Sequence, residues 1–489
     1  MKKLLVMLLA LTLVFAMFAC SPACTEHVDE NKDGKCDVCE AEVKVPECDE
    51  HVDEDGDDKC DECGEDMPEQ PVMTYAEFVA AELDSEVTVV TYVQAKQSWW
   101  FDSKVNSGKG TFYTQDSDGA YFIYEMLMTE EEYNALVPGT CIKVNGYKSE
   151  WSGEVEIINA TYEILEADPF IAEPTDITAD LVAGNDIIAK QNFLVSIRSA
   201  IVNAPAKYKW DGTGAEGDDL YLSVKVGEKE YTIVVESYLH ANGSEVYEAV
   251  EALKAGDVID VEAFLYWYEG AQPHINEVKK PMTYAEFAAA ELDSEVAVIT
   301  YVQAKQSWWF DSKVNSGKGT FYTQAPDGAY FVYEMLMTEE EYNALVPGTC
   351  IKVNGHKAEW SGEVEIIDAV YTILPGTYIA EATDITADLA AGNDIAGKQN
   401  MLVGVKGAVV TAAAKYKWDG TGAEGDDLYL AVKVGEKEYT LVVESYFHAN
   451  GSEVYEAVEA LAVGDVIDVE AFLYWYNGAQ PHINAVVKK

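Results

Sequence analysis

The sequence predicts a mainly β chain: four small five-stranded barrels, built as two tandem copies of a two-barrel unit, after two small metal-stapled modules. Three observations predict it. Short runs rich in Val, Ile, Thr and Tyr recur with turn residues between them. The phrase MTYAEF stands at 73–78 and again at 282–287, and residues 73–165 differ from 282–374 at 11 of 93 positions. Residues 21–72 carry cysteines and acids in place of large apolar side chains, so they need a staple to fold. The expected boundaries are 1–20, 21–45, 46–72, 73–167, 168–280, 281–375 and 376–489.

The first of these reads as an export signal. Lys2 and Lys3 precede an apolar run from Leu4 to Ala19, too short to span a bilayer. Met17-Phe18-Ala19-Cys20 resembles a bacterial lipobox, although Met17 and Phe18 depart from the usual Leu and small residue. The resemblance implies lipid attachment at Cys20 and a place on the cell surface, anchored to the bacterial membrane; a plain secreted protein is the alternative. Both place the mature chain where disulfides form.

The next two segments each follow C-x2-H-x8-C-x2-C. Cys24, His27, Cys36 and Cys39 form the first set, and Cys48, His51, Cys60 and Cys63 the second. Four ligands in two close pairs suit tetrahedral zinc, while six cysteines in an exported segment also suit three disulfides. Within the first module, Asp29, Asn31, Asp33, Asp37 and Glu40 fall at positions 1, 3, 5, 9 and 12 of a calcium loop. Gly34 takes the turn and the Lys35 carbonyl supplies position 7. The pattern resembles calcium loops of EF-hand, dockerin and thrombospondin type 3 repeats. The second module keeps Asp53, Asp55, Asp57 and Asp61, but Asp58 replaces the glycine and Gly64 the closing acid. Calcium and zinc are therefore the expected cofactors.

In the first barrel the expected order is a helix over 73–85, strands EVTVVTYVQA, GTFYTQ and AYFIYEML, a helix TEEEYNALVPG, then strands CIKVNGYK and EVEIINATYEIL. Asp118-Gly119 marks the hairpin between the second and third strands. The second barrel repeats the order with FLVSIRSAIV, LYLSVKVG, KEYTIVVES, the helix SEVYEAVEALKAGD, VIDVEAFLYW and PHINEVKK. Five strands with a helix between the third and fourth resemble an OB-fold barrel. Phrases such as VPGTCIKVNG and LKAGDVIDVEAF resemble the fourth strand of bacterial extracellular OB-fold domains. Another five-stranded barrel or a small sandwich is the competing architecture.

OB-folds bind extended ligands over strands 2–3, between the loops after strands 1 and 4. All ten tryptophans fall in or beside those loops: Trp99, Trp100, Trp151, Trp210 and Trp267 in the first copy, Trp308, Trp309, Trp360, Trp418 and Trp475 in the second. Exposed, they stack on a sugar face or a base; folded back, they plug the barrel mouth. Of two adjacent residues on an extended segment, such as Trp99-Trp100, one points outward. Asp102, Glu150, Asp211 and Gln272 are placed to grip hydroxyls. Cys141 and Cys350 read as buried small hydrophobes, and His240, His274, His448 and His482 as structural.

The chain holds 33 Lys plus Arg against 87 Asp plus Glu, a net charge of −54, and Arg198 is its only arginine. That balance argues against nucleic acid as a partner. No Ser-His-Asp elbow, HExxH or Walker loop is present. The expected function is therefore non-catalytic: a surface lipoprotein whose aromatic rims bind an extracellular glycan. A structural spacer or protein-adhesion array is the alternative, and a subunit of a larger surface enzyme, glycan-active, or of an uptake system a third.

Overall fold

The computed structural model describes residues 28, 35–37, 40–42, 59–60 and 71–489. The N-terminal expectations at Cys20, Cys24, His27, Cys39, Cys48, His51 and Cys63 lie outside these residues, as do Asp29, Asn31, Asp33, Asp53, Asp55, Asp57 and Asp61. Lys35 pairs with Glu42 in an antiparallel bridge, and Glu40 has a positive φ of 56°. Cys36 and Cys60, equivalent positions of the two modules, are both buried. The Asp37 amide donates to the Val28 carbonyl at 2.9 Å.

The first barrel contains α1 (Tyr75–Ala80), β1 (Glu86–Lys96), β2 (Trp100–Asp102), β3 (Ser107–Gln115), β4 (Ala120–Leu127), α2 (Glu130–Ala135), β5 (Cys141–Trp151) and β6 (Glu154–Ile164). β1 pairs with both β5 and β3, which closes the ring β1-β5-β6-β4-β3. Only β4 and β6 run parallel. With α2 between the third and fourth barrel strands, this is OB-fold topology. Alternating side chains fill the interior with Val87, Val89, Phe112, Ile123, Ile142, Val144 and Ile157, all nearly inaccessible.

Helix α1 is shorter than the sequence suggests. Thr74 and Glu77 form a reciprocal capping box at its start. Its end is closed by the buried Lys148 of β5, whose ammonium donates to the carbonyls of Phe78, Val79 and Ala81 at 2.9, 2.9 and 2.7 Å. No periodicity signals a lysine committed to a helix terminus. Lys148→Met keeps the stem but orphans those carbonyls. It is expected to destabilise the first barrel by roughly 2–3 kcal/mol in urea unfolding followed by α1-specific amide exchange.

The second barrel contains β7 (Thr175–Asp176), α3 (Thr178–Ala183), β8 (Leu194–Val202), β9 (Lys207–Tyr208), β10 (Leu220–Val226), β11 (Lys229–Val235), α4 (Glu245–Glu251), β12 (Val258–Phe264) and β13 (His274–Lys279). Its ring is β8-β12-β13-β11-β10, again with one parallel pair, β11 with β13. The second copy repeats both rings with the same order. The elements that sequence reading missed are β2, β7, β9 and α3. Among the described residues no helix is long and apolar enough to cross a membrane.

Within each copy the two barrels meet across a mixed polar and aromatic seam. Gln115 accepts from the Leu194 amide at 2.8 Å, and Gln191 donates to the Gly153 carbonyl at 2.7 Å. Tyr113 stacks on Phe264 with centroids 4.5 Å apart, and its hydroxyl meets His274 Nδ1 at 2.7 Å. Glu154 of β6 accepts from the Trp267 amide at 2.7 Å. The corresponding contacts recur in the second copy.

Candidate ligand cleft

The seam between two barrels leaves a cleft of about 860 Å³ in the second copy, lined by eighteen residues. Each barrel contributes the loop after its first strand and its fourth-to-fifth strand hairpin. Trp309 and Trp360 come from the first barrel of that copy, Trp418, Tyr474 and Tyr476 from the second. The floor is Phe331 and Tyr333, neighbours by alternation on one strand face, with His482 beside them. Every one of the eighteen has the identical residue at its counterpart in the first copy, including Trp100, Trp151, Trp210, Tyr124, Glu125, Asp219, Glu236 and His274.

The ten tryptophans divide by position. Trp100, Trp151, Trp210, Trp309, Trp360 and Trp418 are exposed, with Trp210 and Trp418 at 76% and 73%. Trp99, Trp267, Trp308 and Trp475 instead pack against the barrel cores. Trp99 donates its Nε1 proton to the Met128 carbonyl at 3.2 Å and lies flat on Gly108, where a Cβ would stand only 2.2 Å from its ring. Gly108 is therefore the residue that lets Trp99 turn inward and leaves Trp100 outward.

The exposed rings are braced. Lys109 sits 4.9 Å from the Trp100 ring centroid while paired with Asp102 and Glu125 at 2.9 and 2.7 Å. Trp151 leans on Tyr268 with centroids 5.3 Å apart, and Trp360 on Tyr476 at the same distance. Tyr474 stacks on His482 at 4.2 Å. Burial pushes that histidine down to about 3, so it is a neutral platform whose Nδ1 is committed to Tyr322.

Of the polar residues proposed to grip hydroxyls, Gln272 corresponds to Gln480 in the cleft lining. Asp102 is instead bound to Lys109, and Asp211 to the Thr213 amide and hydroxyl. Glu150 is exposed, and its counterpart Glu359 is not part of the lining. The residues that sequence reading missed are Glu334, Asp427 and Glu444, together with Tyr333, Tyr429 and Tyr446. The outward alternation of Phe122 and Tyr124 in AYFIYEML was the one available signal. Glu444 is pushed up to about 7, first by burial and then by neighbouring Asp427. Among the described lining residues there are three carboxylates and no lysine or arginine. Among the described residues no group of three or more His, Cys, Asp or Glu is placed to hold a metal ion.

No family model and no curated protein matches the chain. Among solved structures it is similar to a tetrameric p202 HIN2, at 11% identity over 41% of this chain and 96% of that one, with a TM-score of 0.21. A murine DNA-binding protein bound with double-stranded DNA is similar at 11% identity over 40% of this chain and 96% of that one, with a TM-score of 0.23. A replication protein A heterotrimer bound to single-stranded DNA is similar at 8% identity over 60% of this chain and 94% of that one, with a TM-score of 0.21. At these scores the likeness assigns no ligand. The charge-based exclusion of nucleic acid is nevertheless corrected: DNA-bound chains stand among the structures similar to this one, and the exclusion is withdrawn.

Proposed function

We propose that the chain is a non-catalytic binding protein whose second-copy cleft, and the first-copy seam built from the same residues, take an extracellular glycan. The observation that carries this is the convergence of three exposed tryptophans from two barrels on one cleft, with carboxylate and amide acceptors between them. Flat apolar rings match the C–H faces of sugars and the Gln480 amide matches their hydroxyls, while Glu334 and Asp427 are held by Lys318 and Ser445. The lining carboxylates favour neutral or amine-bearing saccharides over uronic-acid polymers. Export and lipid attachment at Cys20 complete the reading, with residues 21–72 as a stapled stalk holding the barrels away from the membrane.

The test is an array of cell-wall and extracellular polysaccharides, with single-stranded oligonucleotides spotted beside them. Saturable binding to a neutral or amino glycan is expected, and its loss when Trp151, Trp210, Trp360 and Trp418 are all changed to Ala. Binding to oligonucleotides alone, or glycan binding that survives the fourfold variant, would replace this reading.

A further inference from the structure

The two copies are joined by a contact whose counterpart on the last barrel is exposed. Ile201 and Val258, a cross-strand pair of β8 and β12, pack on Ile299, Tyr301, Cys350 and Leu374 of the second copy. Beside them Lys352, almost fully buried, makes an ion pair with Asp260. The corresponding pair in the last barrel is Val409 with Val466, joined by the same register, and it is exposed at 37% and 40%. Asp468 stands where Asp260 does.

The exposed face of the last barrel is also more apolar than its counterpart in the first copy. Lys254, Ala255, Glu277 and Lys279 of the first copy become Ala462, Val463, Ala485 and Val487 in the second. Val463 and Val487 are exposed at 67% and 59%. The other half of the contact is present on the first barrel. Val90, Tyr92, Cys141 and Leu165 occupy the positions of Ile299, Tyr301, Cys350 and Leu374, and Lys143 that of Lys352. Leu165 is partly exposed where Leu374 is buried.

We propose that the Val409–Val466 face of the last barrel docks the Val90–Leu165 face of the first barrel of a second copy of this chain. The contact repeats the internal junction between copies and is head-to-tail. Two different faces meet, so each added chain leaves one of each unpaired and the array of clefts extends from chain to chain.

Sedimentation velocity on the full chain, up to roughly 200 µM, tests this. The weight-average mass is expected to climb past the dimer as concentration rises. Val466→Lys blocks the tail and Leu165→Lys blocks the head; each alone is expected to be monomeric, and an equimolar mixture is expected to stop at the dimer. Unchanged near-ultraviolet circular dichroism checks that both variants fold. A wild-type chain that stays monomeric overturns the proposal. So does a dimer that survives Leu165→Lys but not Val466→Lys, because that dimer is tail-to-tail.

Discussion

Changing Glu154 and Glu363 together to Gln is expected to raise the melting temperature at pH 8 and to flatten its dependence on pH. Both carboxyls are inaccessible and are pushed up to about 9, first by burial. One oxygen of Glu154 takes the Trp267 amide, and Glu363 takes that of Trp475. The other oxygen has no donor, and neither does the side-chain oxygen of Asn192 or Asn400 packed beside it. Each asparagine gives one of its two N–H protons to a carbonyl, Val155 or Val364. Burial outweighs the opposing pull of the backbone amide and the asparagine, so the protonated carboxyl is the favoured form. Glutamine reproduces that neutral form without a titration.

The sign follows from the raised folded values. Stability from these groups is full below their unfolded range and is lost as pH rises toward about 9. Glu156, Glu236, Glu365 and Glu444, pushed up to about 7, add to the same slope. The wild-type chain should therefore gain stability from pH 8 down to about 5. Below that, the capping acids Glu77 and Glu132, held below the ordinary range by Thr74 and Thr129, protonate and reverse the trend. Each Glu→Gln change is expected to contribute roughly 1–3 kcal/mol at pH 8 and little at pH 5. Scanning calorimetry at both pH values reads it. A variant less stable than wild type at pH 8 would show that these carboxyls are ionised and paired in a way the seam does not reveal.

The second large effect concerns avidity. If one polymer reaches both clefts, their affinities multiply through effective concentration. Disabling one cleft with Trp360→Ala and Trp418→Ala should then weaken binding to a long glycan by roughly 10²–10⁴-fold. For a short oligosaccharide the same variant should only halve the number of sites. Equal losses for long and short ligands would mean that the clefts act singly. Surface plasmon resonance with glycan in solution and protein immobilised at low density separates the two cases.

Much of the barrel was legible because its strands obey local rules. EVTVVTYVQA alternates, Asp118-Gly119 turns the hairpin, and Thr129 caps the helix between the third and fourth strands. β2 was not legible, because Trp100–Asp102 is a strand only through three pairs to Ser107–Lys109. The tryptophans pointed to loops that border the cleft, yet which ring faces outward depends on Gly108 and Met128, outside the Trp99-Trp100 pair. The cleft itself was hidden for a different reason. Phe122, Tyr124 and Glu236 read as ordinary strand or turn residues, and only the docking of one barrel on another assembles them. Period-2 alternation is the same whether a face meets water, ligand or a second barrel.

Titration calorimetry with a short oligosaccharide identified on the array tests the central claim most directly. The account predicts two equivalent sites per chain, one after Trp360→Ala with Trp418→Ala, and none when Trp151→Ala and Trp210→Ala are added. A stoichiometry unmoved by these substitutions would contradict it, because the ligand would then lie outside both clefts.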